Sequence, residues 1–340
     1  MEPTSSESQP KEDNSEDNKS EEKKQESLIK IYKDPHPCNF VYFMKEGSNE
    51  MYVQDPKVRP GKLYLFDKEM SNLHDTAFFD NRIFITGGFI KGPIYLNSFD
   101  EIILNHKEKK GTFKSMTPML HPRAQHSMTN IGDKFIYCLG GKNKDDGIIE
   151  SVEKFSFDTN QWVEIKPLSE AKVNMSSVTF NERWIYVFGG YNFGTGGVKG
   201  TIEFMDTQNE NDGWQKYNIV NNCHWTPRYW CGLCQISEDQ IVIFGGNNLI
   251  DGMILNVPKH SIYKFERSIP YDLNFCLNKA KIIEDRMWIF DYSRKLIHDL
   301  KLRELKWDSL DFDQWFYGPK PIDWEEMKRK KKNKFKFAGF

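Results

Sequence analysis

The chain has 340 residues, with 47 Lys and Arg against 49 Asp and Glu for a formal net charge of −2, and 38% apolar residues. That length supports one sizeable core without disulfides, and no apolar run approaches the roughly 20 residues of a membrane-spanning helix. The near-neutral total hides two charged ends, an acidic one at the start and a basic one at the finish.

The first 27 residues, MEPTSSESQPKEDNSEDNKSEEKKQES, hold 9 acids, 4 bases and no aromatic residue, so they predict a disordered tail of charge −5. The stretch lacks the apolar h-region of a secretory signal. The expected location is intracellular, where the six cysteines stay reduced. Residues 27 to 67 then offer the strand-like segments SLIKIYK, NFVYFMKEG and KLYLFDK, with a single glycine, Gly47, after the second.

From there a pattern repeats. Short apolar runs end in glycine pairs in RIFITGGF, KFIYCLGGK, WIYVFGG and QIVIFGGN, giving the pairs Gly87–Gly88, Gly140–Gly141, Gly189–Gly190 and Gly245–Gly246. Their first members are spaced by 53, 49 and 56 residues, and a period near fifty marks a repeat architecture. Runs of four or five residues rich in Ile, Val, Phe and Tyr are too short for helices and fit strands covered on both faces. Each pair is preceded by another short strand (AQHSMTN, MSSVTF, WCGLCQI) and followed by two more, such as SVEKFSFD then QWVEI, or GTIEFMDT then GWQKY. After Gly87–Gly88 the two are NSFDEIIL and GTFKSM, with Phe113 where the others carry Trp162 and Trp214. Residues 279 to 310 repeat the register once more as KAKIIED, RMWIFDYS, KLIHDLKL and LKWDSL, with Phe290–Asp291 in place of the glycines.

Doublet glycines after an apolar strand, an aromatic-Asp on the next strand and a Trp on the fourth resemble the kelch repeat. The resemblance implies an all-β fold, a single kelch-type β-propeller over residues 28–310 with six four-stranded blades; seven is the competing count. Glycine suits the crowded strand exits near the ring axis, where a residue without a Cβ admits its neighbour and takes positive φ. Residues 311–340 form an aromatic then basic extension. In it, Trp315, Phe316, Tyr317 and Trp324 precede KRKKKNKFKF (328–337), which carries 7 bases and no acid. The run reads equally as a polyanion contact, a nuclear import signal or a solvated tail.

Fold does not dictate function, so the candidate sites are weighed separately. Cys223, His224, Cys231 and Cys234 invite a zinc reading, but Cys231 and Cys234 lie three apart on a predicted strand and point to opposite faces, so no metal or cofactor is expected. Neither the cysteine, tyrosine and histidine set of kelch-like copper radical oxidases nor the Asp-box of sialidases is recognisable, and the expectation is a protein without catalytic activity. What remains is protein binding through loops on one face. These include HPRAQH, YNFGTGG and HWTPRYW, and their candidate contacts are Arg123, Tyr191, Phe193, Trp225, Arg228, Tyr229 and Trp230. For Arg123 and Arg228 a bracing role at the blade junction is the equal alternative, because kelch repeats often carry Arg after Pro there. The resemblance implies one or more protein partners and a structural place in a cytoskeletal or ciliary assembly, with substrate recognition for a ubiquitin ligase as the alternative. The expected location is cytoplasmic, or cytoskeletal or ciliary, the nucleus being the competing destination.

Overall fold

A computed structural model describes residues 31–311 except 45, 56–57, 93, 221–224, 247–248, 265–280, 284–285, 292–295 and 303–305. The two predicted tails, Cys223, His224 and the aromatic and basic C-terminal residues lie outside the described residues. The first unit comprises β1 (Val41–Met44), β2 (Glu50–Asp55) and β3 (Val58–Phe66). In the second, β4 (Asp75–Phe79) and β5 (Arg82–Thr86) lead through a small hairpin, β6 (Phe89–Ile90) and β7 (Ile94–Tyr95), to β8 (Phe99–Asn105) and β9 (Lys110–Ser115). The third is β10 (Ser127–Ile131), β11 (Phe135–Leu139), β12 (Val152–Ser156) and β13 (Gln161–Ile165). In the fourth, β14 (Ser176–Phe180) and β15 (Trp184–Phe188) precede the hairpin β16 (Tyr191–Asn192) and β17 (Gly197–Val198), then β18 (Ile202–Asp206) and β19 (Gln215–Lys216). The fifth holds β20 (Gly232–Gln235), β21 (Gln240–Phe244), β22 (Gly252–Asn256) and β23 (Ser261–Lys264). The sixth holds β24 (Lys281–Ile283), β25 (Arg286–Asp291), β26 (Leu296–Lys301) and β27 (Lys306–Asp311).

Within each unit consecutive blade strands pair antiparallel, and inner strands β4, β10, β14 and β20 adjoin in turn. This is the arrangement of a β-propeller. Across adjoining inner strands the Ser127 and Ser177 hydroxyls meet at 2.7 Å, and those of Thr129 and Thr179 at 2.9 Å.

The core lies between blades as a series of slabs, which explains strands that are apolar on both faces. Along β11, Ile136 and Cys138 pack with Phe79, Phe84 and Phe99 of the second blade, while Tyr137 and Leu139 pack with Ile185, Val187 and Met205 of the fourth. Fully burying one such side chain contributes about 1.5–3 kcal/mol. Two tryptophans tie the slabs at their rims: Trp162 donates to the Thr117 carbonyl at 2.8 Å and Trp214 to that of Lys166 at 3.0 Å. Phe113 has no such donor.

The first blade departs from the expectation of four strands. Three are present among the described residues, and Ile31–Lys33 of SLIKIYK form no strand; residues 28–30 lie outside the described set. The segment finds partners elsewhere. Tyr32 N–H donates to the Ile236 carbonyl at 2.7 Å, the Asp80 N–H donates to the His36 carbonyl at 3.2 Å, and Asn39 N–H donates to Asn81 Oδ1 at 2.9 Å. Residues 31–39 thus strap the face opposite the glycine pairs, running from blade five to blade two. His36 pins the strap, with Nδ1 2.9 Å from Asp80 Oδ2 and Nε2 3.5 Å from Glu182 Oε1. The outer strand β3 compensates by pairing parallel with β9 (Leu65 with Lys110, Phe66 with Gly111), which fuses blades one and two into a seven-stranded sheet. Gly111 permits that approach, since a Cβ there would stand 2.1 Å from Phe66 Cζ. In blade six, β25 continues through Phe290–Asp291 instead of stopping at a glycine turn.

Candidate functional site: the loop face

The glycine pairs set the geometry of the loop face. Gly87, Gly140, Gly189 and Gly245 have φ of 56 to 59°, and Gly88, Gly141, Gly190 and Gly246 have φ of 85 to 111°. The second glycine of a pair reaches the next blade: Gly88 N–H donates to the Arg123 carbonyl at 2.8 Å, Gly141 to Lys172 at 3.0 Å, and Gly190 to Arg228 at 2.9 Å. A basic residue therefore sits at three successive junctions, and its side chain turns inward.

Arg123 is 0% exposed. Its Nη1 donates to the carbonyls of Gly140 (2.9 Å) and Ser151 (3.0 Å), and its Nη2 to Glu153 Oε1 (2.6 Å). Glu153 in turn accepts the N–H groups of Leu120 and His121 at 2.6 and 3.1 Å. Arg228 is equally buried, with Nη1 2.8 Å from Asp251 Oδ1 and 3.1 Å from the Gly245 carbonyl. At the intervening junction Lys172 pairs with fully buried Glu203. Both predicted arginines are thus bound by their own chain, which favours the bracing alternative over partner contact. Trp225 also serves the junction: its indole N–H donates to the Gly200 carbonyl at 2.8 Å, its ring meets Phe188 edge-on at 6.0 Å, and the Arg228 guanidinium lies 5.3 Å from its centre.

The other four predicted residues come together. Tyr191 meets Phe193 edge-to-face at 4.6 Å and Tyr229 at 5.5 Å, and Tyr229 meets Trp230 at 5.3 Å. Phe193 is 67% exposed and its three companions are half-buried. Their support is firm. Tyr191 and Val173 exchange backbone hydrogen bonds at 2.8 and 2.9 Å, and Asn192 accepts from Gly194 N–H (2.8 Å) while donating to the Ala171 carbonyl (2.7 Å). Rigid aromatics at the tip of a braced hairpin present contact area at low entropic cost. Ile90 and Ile94 are 42% and 54% exposed on the blade-two hairpin, and the blade-three loop between the two hairpins exposes Lys144, Asp145 and Asp146.

Cys138 on β11, Cys231 just before β20 and Cys234 on β20 each pack in a slab between blades. Burial pushes the Cys138 thiol up to about 12 and raises that of Cys231 as well, so neither is a thiolate at neutral pH. Cys231 packs in the slab between blades four and five and Cys234 against the slab between five and six, so the two diverge.

Sequence reasoning missed the residues two positions beyond each basic brace, Gln125, Asn174 and Trp230 as a set. All three adopt left-handed backbone with φ of 55 to 56°. Their signal was a fixed offset of fifteen residues before Gly140, Gly189 and Gly245.

Blades with paired glycines and buried junction cations define a kelch-type propeller. The KLHDC2/KLHL20/DRC7 Kelch-repeats domain model matches residues 73–291, and the chain belongs to the kelch-repeat family. It is 33% identical to Beta-scruin of Limulus polyphemus over 128 residues, 36% of this chain and 13% of that protein. It is 22% identical to Alpha-scruin of the same species over 246 residues (68% and 25%), and 29% identical to Kelch-like protein 36 of Bos taurus over 153 residues (42% and 23%). The matches thus span a quarter or less of these relatives' own lengths. No helix among the described residues is long and apolar enough to cross a membrane.

Proposed function

We propose that the chain is a non-catalytic interaction scaffold that binds a protein partner through Tyr191, Phe193, Tyr229 and Trp230. The observation that carries this reading is one contiguous aromatic cluster, exposed at Phe193 and shared between the β16–β17 hairpin and the loop of Tyr229 and Trp230 that leads into β20. Kelch membership supports an interaction role, and the proposed setting is a cytoskeletal or ciliary assembly. Substrate recognition for a ubiquitin ligase is the second reading, supported by a relative whose name couples kelch repeats to a BTB domain, 29% identical over 160 residues.

The test is affinity purification with tagged full-length chain and its Tyr191→Ala, Phe193→Ala and Tyr229→Ala variants, each checked for an unchanged melt. Truncating an anchor of this kind weakens binding by about 2 kcal/mol, roughly thirtyfold. The same proteins should therefore be lost from all three variants. Full recovery by all three removes the cluster from the interface. The identity of the recovered proteins, filament components or cullin-ligase subunits, separates the two settings.

A further inference from the structure

Four residues with left-handed backbone form a chain of hydrogen bonds across the loop-face mouth of the ring. Gln125 N–H donates to the Leu73 carbonyl at 3.0 Å, Asn174 to Gln125 at 2.9 Å, and Trp230 to Asn174 at 2.8 Å. Their φ angles are 51, 56, 55 and 56° for Leu73, Gln125, Asn174 and Trp230. At the first blade the series ends on Glu46, whose carboxylate accepts the Leu73 N–H and whose pKa is raised by burial to about 7. Side-chain-bearing residues seldom adopt this backbone, and strained residues gather at functional sites.

The relay occupies backbone groups and leaves side-chain atoms over. Gln125 Oε1, Asn174 Oδ1 and Trp230 Nε1 are each shielded from solvent and have no hydrogen-bond partner. Asn174 is 7% exposed and Gln125 and Trp230 are half-buried, so an entering group reaches these atoms only when the side chains turn toward it. A buried polar atom without a partner is destabilising, yet the same register position repeats it in three successive blades.

The chemistry of these atoms restricts what satisfies them. An indole N–H only donates, so it needs an acceptor, whereas Asn and Gln amides offer one edge of each kind whichever way they are turned. A group with an acceptor and a donor side by side fits, as in a primary carboxamide. A carboxylate fits poorly, because the junction cations are already neutralised by Glu153, Glu203 and Asp251 and because Glu46 stands at the end of the relay. We infer that the mouth bounded by Gln125, Asn174 and Trp230 takes an Asn or Gln side chain from an extended segment of the partner, with the aromatic cluster covering its flanks. This inference rests on the proposed protein-binding role of the loop face.

Panning a phage-displayed random peptide library on the purified full-length chain tests it. The expected result is a set of binders with Gln or Asn at one fixed position. Changing that residue to Glu or Asp, or the protein by Trp230→Phe, should weaken each binder at least tenfold, the latter at an unchanged melting temperature. Trp230→Phe keeps an aromatic ring against Tyr229 while removing the N–H together with part of the indole. If no peptide is enriched, or if binders show no amide preference and ignore Trp230→Phe, the inference is overturned. Binders that ignore Trp230→Phe but lose affinity with Phe193→Ala sink the amide pocket and leave the loop-face reading standing. Binders indifferent to Tyr191→Ala, Phe193→Ala and Tyr229→Ala sink the loop-face reading itself.

Discussion

Replacing Gly189 with alanine separates the two reasons a strand exit needs glycine, when it is set beside the same change at Gly147. Gly147 has φ of 76° and open space around the added Cβ, so Gly147→Ala carries only the conformational penalty, about 1–2 kcal/mol for an L-residue in left-handed backbone. Gly189 has φ of 59° and shares that penalty, but its Cβ would stand 1.9 Å from the Arg228 carbonyl oxygen and 3.2 Å from that of Lys199. Both neighbours are backbone, and the Arg228 carbonyl is also the acceptor for Gly190 N–H at 2.9 Å. Relief of the clash therefore requires blades four and five to part. Overpacking adds about 1–3 kcal/mol and the disturbed hydrogen bond about 1 kcal/mol, for a total of about 4 kcal/mol. At roughly 1.5 °C per kcal/mol for a chain of this size, from an unfolding entropy of about 2.1 cal/mol/K per residue, Gly189→Ala should lower the thermal midpoint by roughly 6 °C and Gly147→Ala by roughly 2 °C. Melts followed by near-ultraviolet circular dichroism measure both. Equal midpoints for the two variants would refute the account of crowding at the blade junction.

Two further predictions concern buried and bridging charges. Arg123→Ala strands the Glu153 carboxylate with no exposure and should cost about 3–5 kcal/mol in urea unfolding; a loss below about 1 kcal/mol would mean that the junction ion pair does not brace the ring. For the His36 strap, burial alone lowers the imidazole pKa, but the hydrogen bond to Asp80 and the charges of Asp80, Glu182 and Asp133 outweigh it and the net shift is upward. The contribution is therefore fully present below the ordinary imidazole value of about 6.5 and is lost as pH rises through the higher folded value. Amide exchange in residues 31–39, after correction for intrinsic rates, should accelerate across that window, and His36→Asn should abolish the dependence. A pH-independent strap in the unaltered protein would remove His36 from this role.

The middle of the ring was legible because its signal is local. A run of three to five apolar residues and then two glycines, four times over, is what a strand between two blades requires, and Phe188 or Leu139 needs no distant partner to be recognised as core. The ends were less legible. SLIKIYK has the composition of a strand, yet Tyr32 is bonded to Ile236, some two hundred residues away. Propensity cannot show that such a partner has displaced the local one. At the candidate site, Tyr191, Phe193, Tyr229 and Trp230 were visible as anchor-type residues in loops, whereas the inward turn of Trp225 depends on the Gly200 carbonyl of another loop. The junction cations were visible too, but their carboxylates lie 23 to 31 residues downstream, on strands β12 and β18 or just before β22.

The fused sheet of blades one and two has a bearing on assembly of the ring. The outermost strand of a sheet ordinarily presents a row of open backbone groups, a template for unwanted pairing. Between Leu65–Phe66 and Lys110–Gly111, β3 and β9 occupy part of that row on each other. A nascent chain grown past Ser115 already contains all seven strands of this sheet. Since synthesis delivers the amino-terminal part first, a partly self-sealed unit is available before the third blade exists, with the apolar faces of Phe79 and Phe99 ready to receive it.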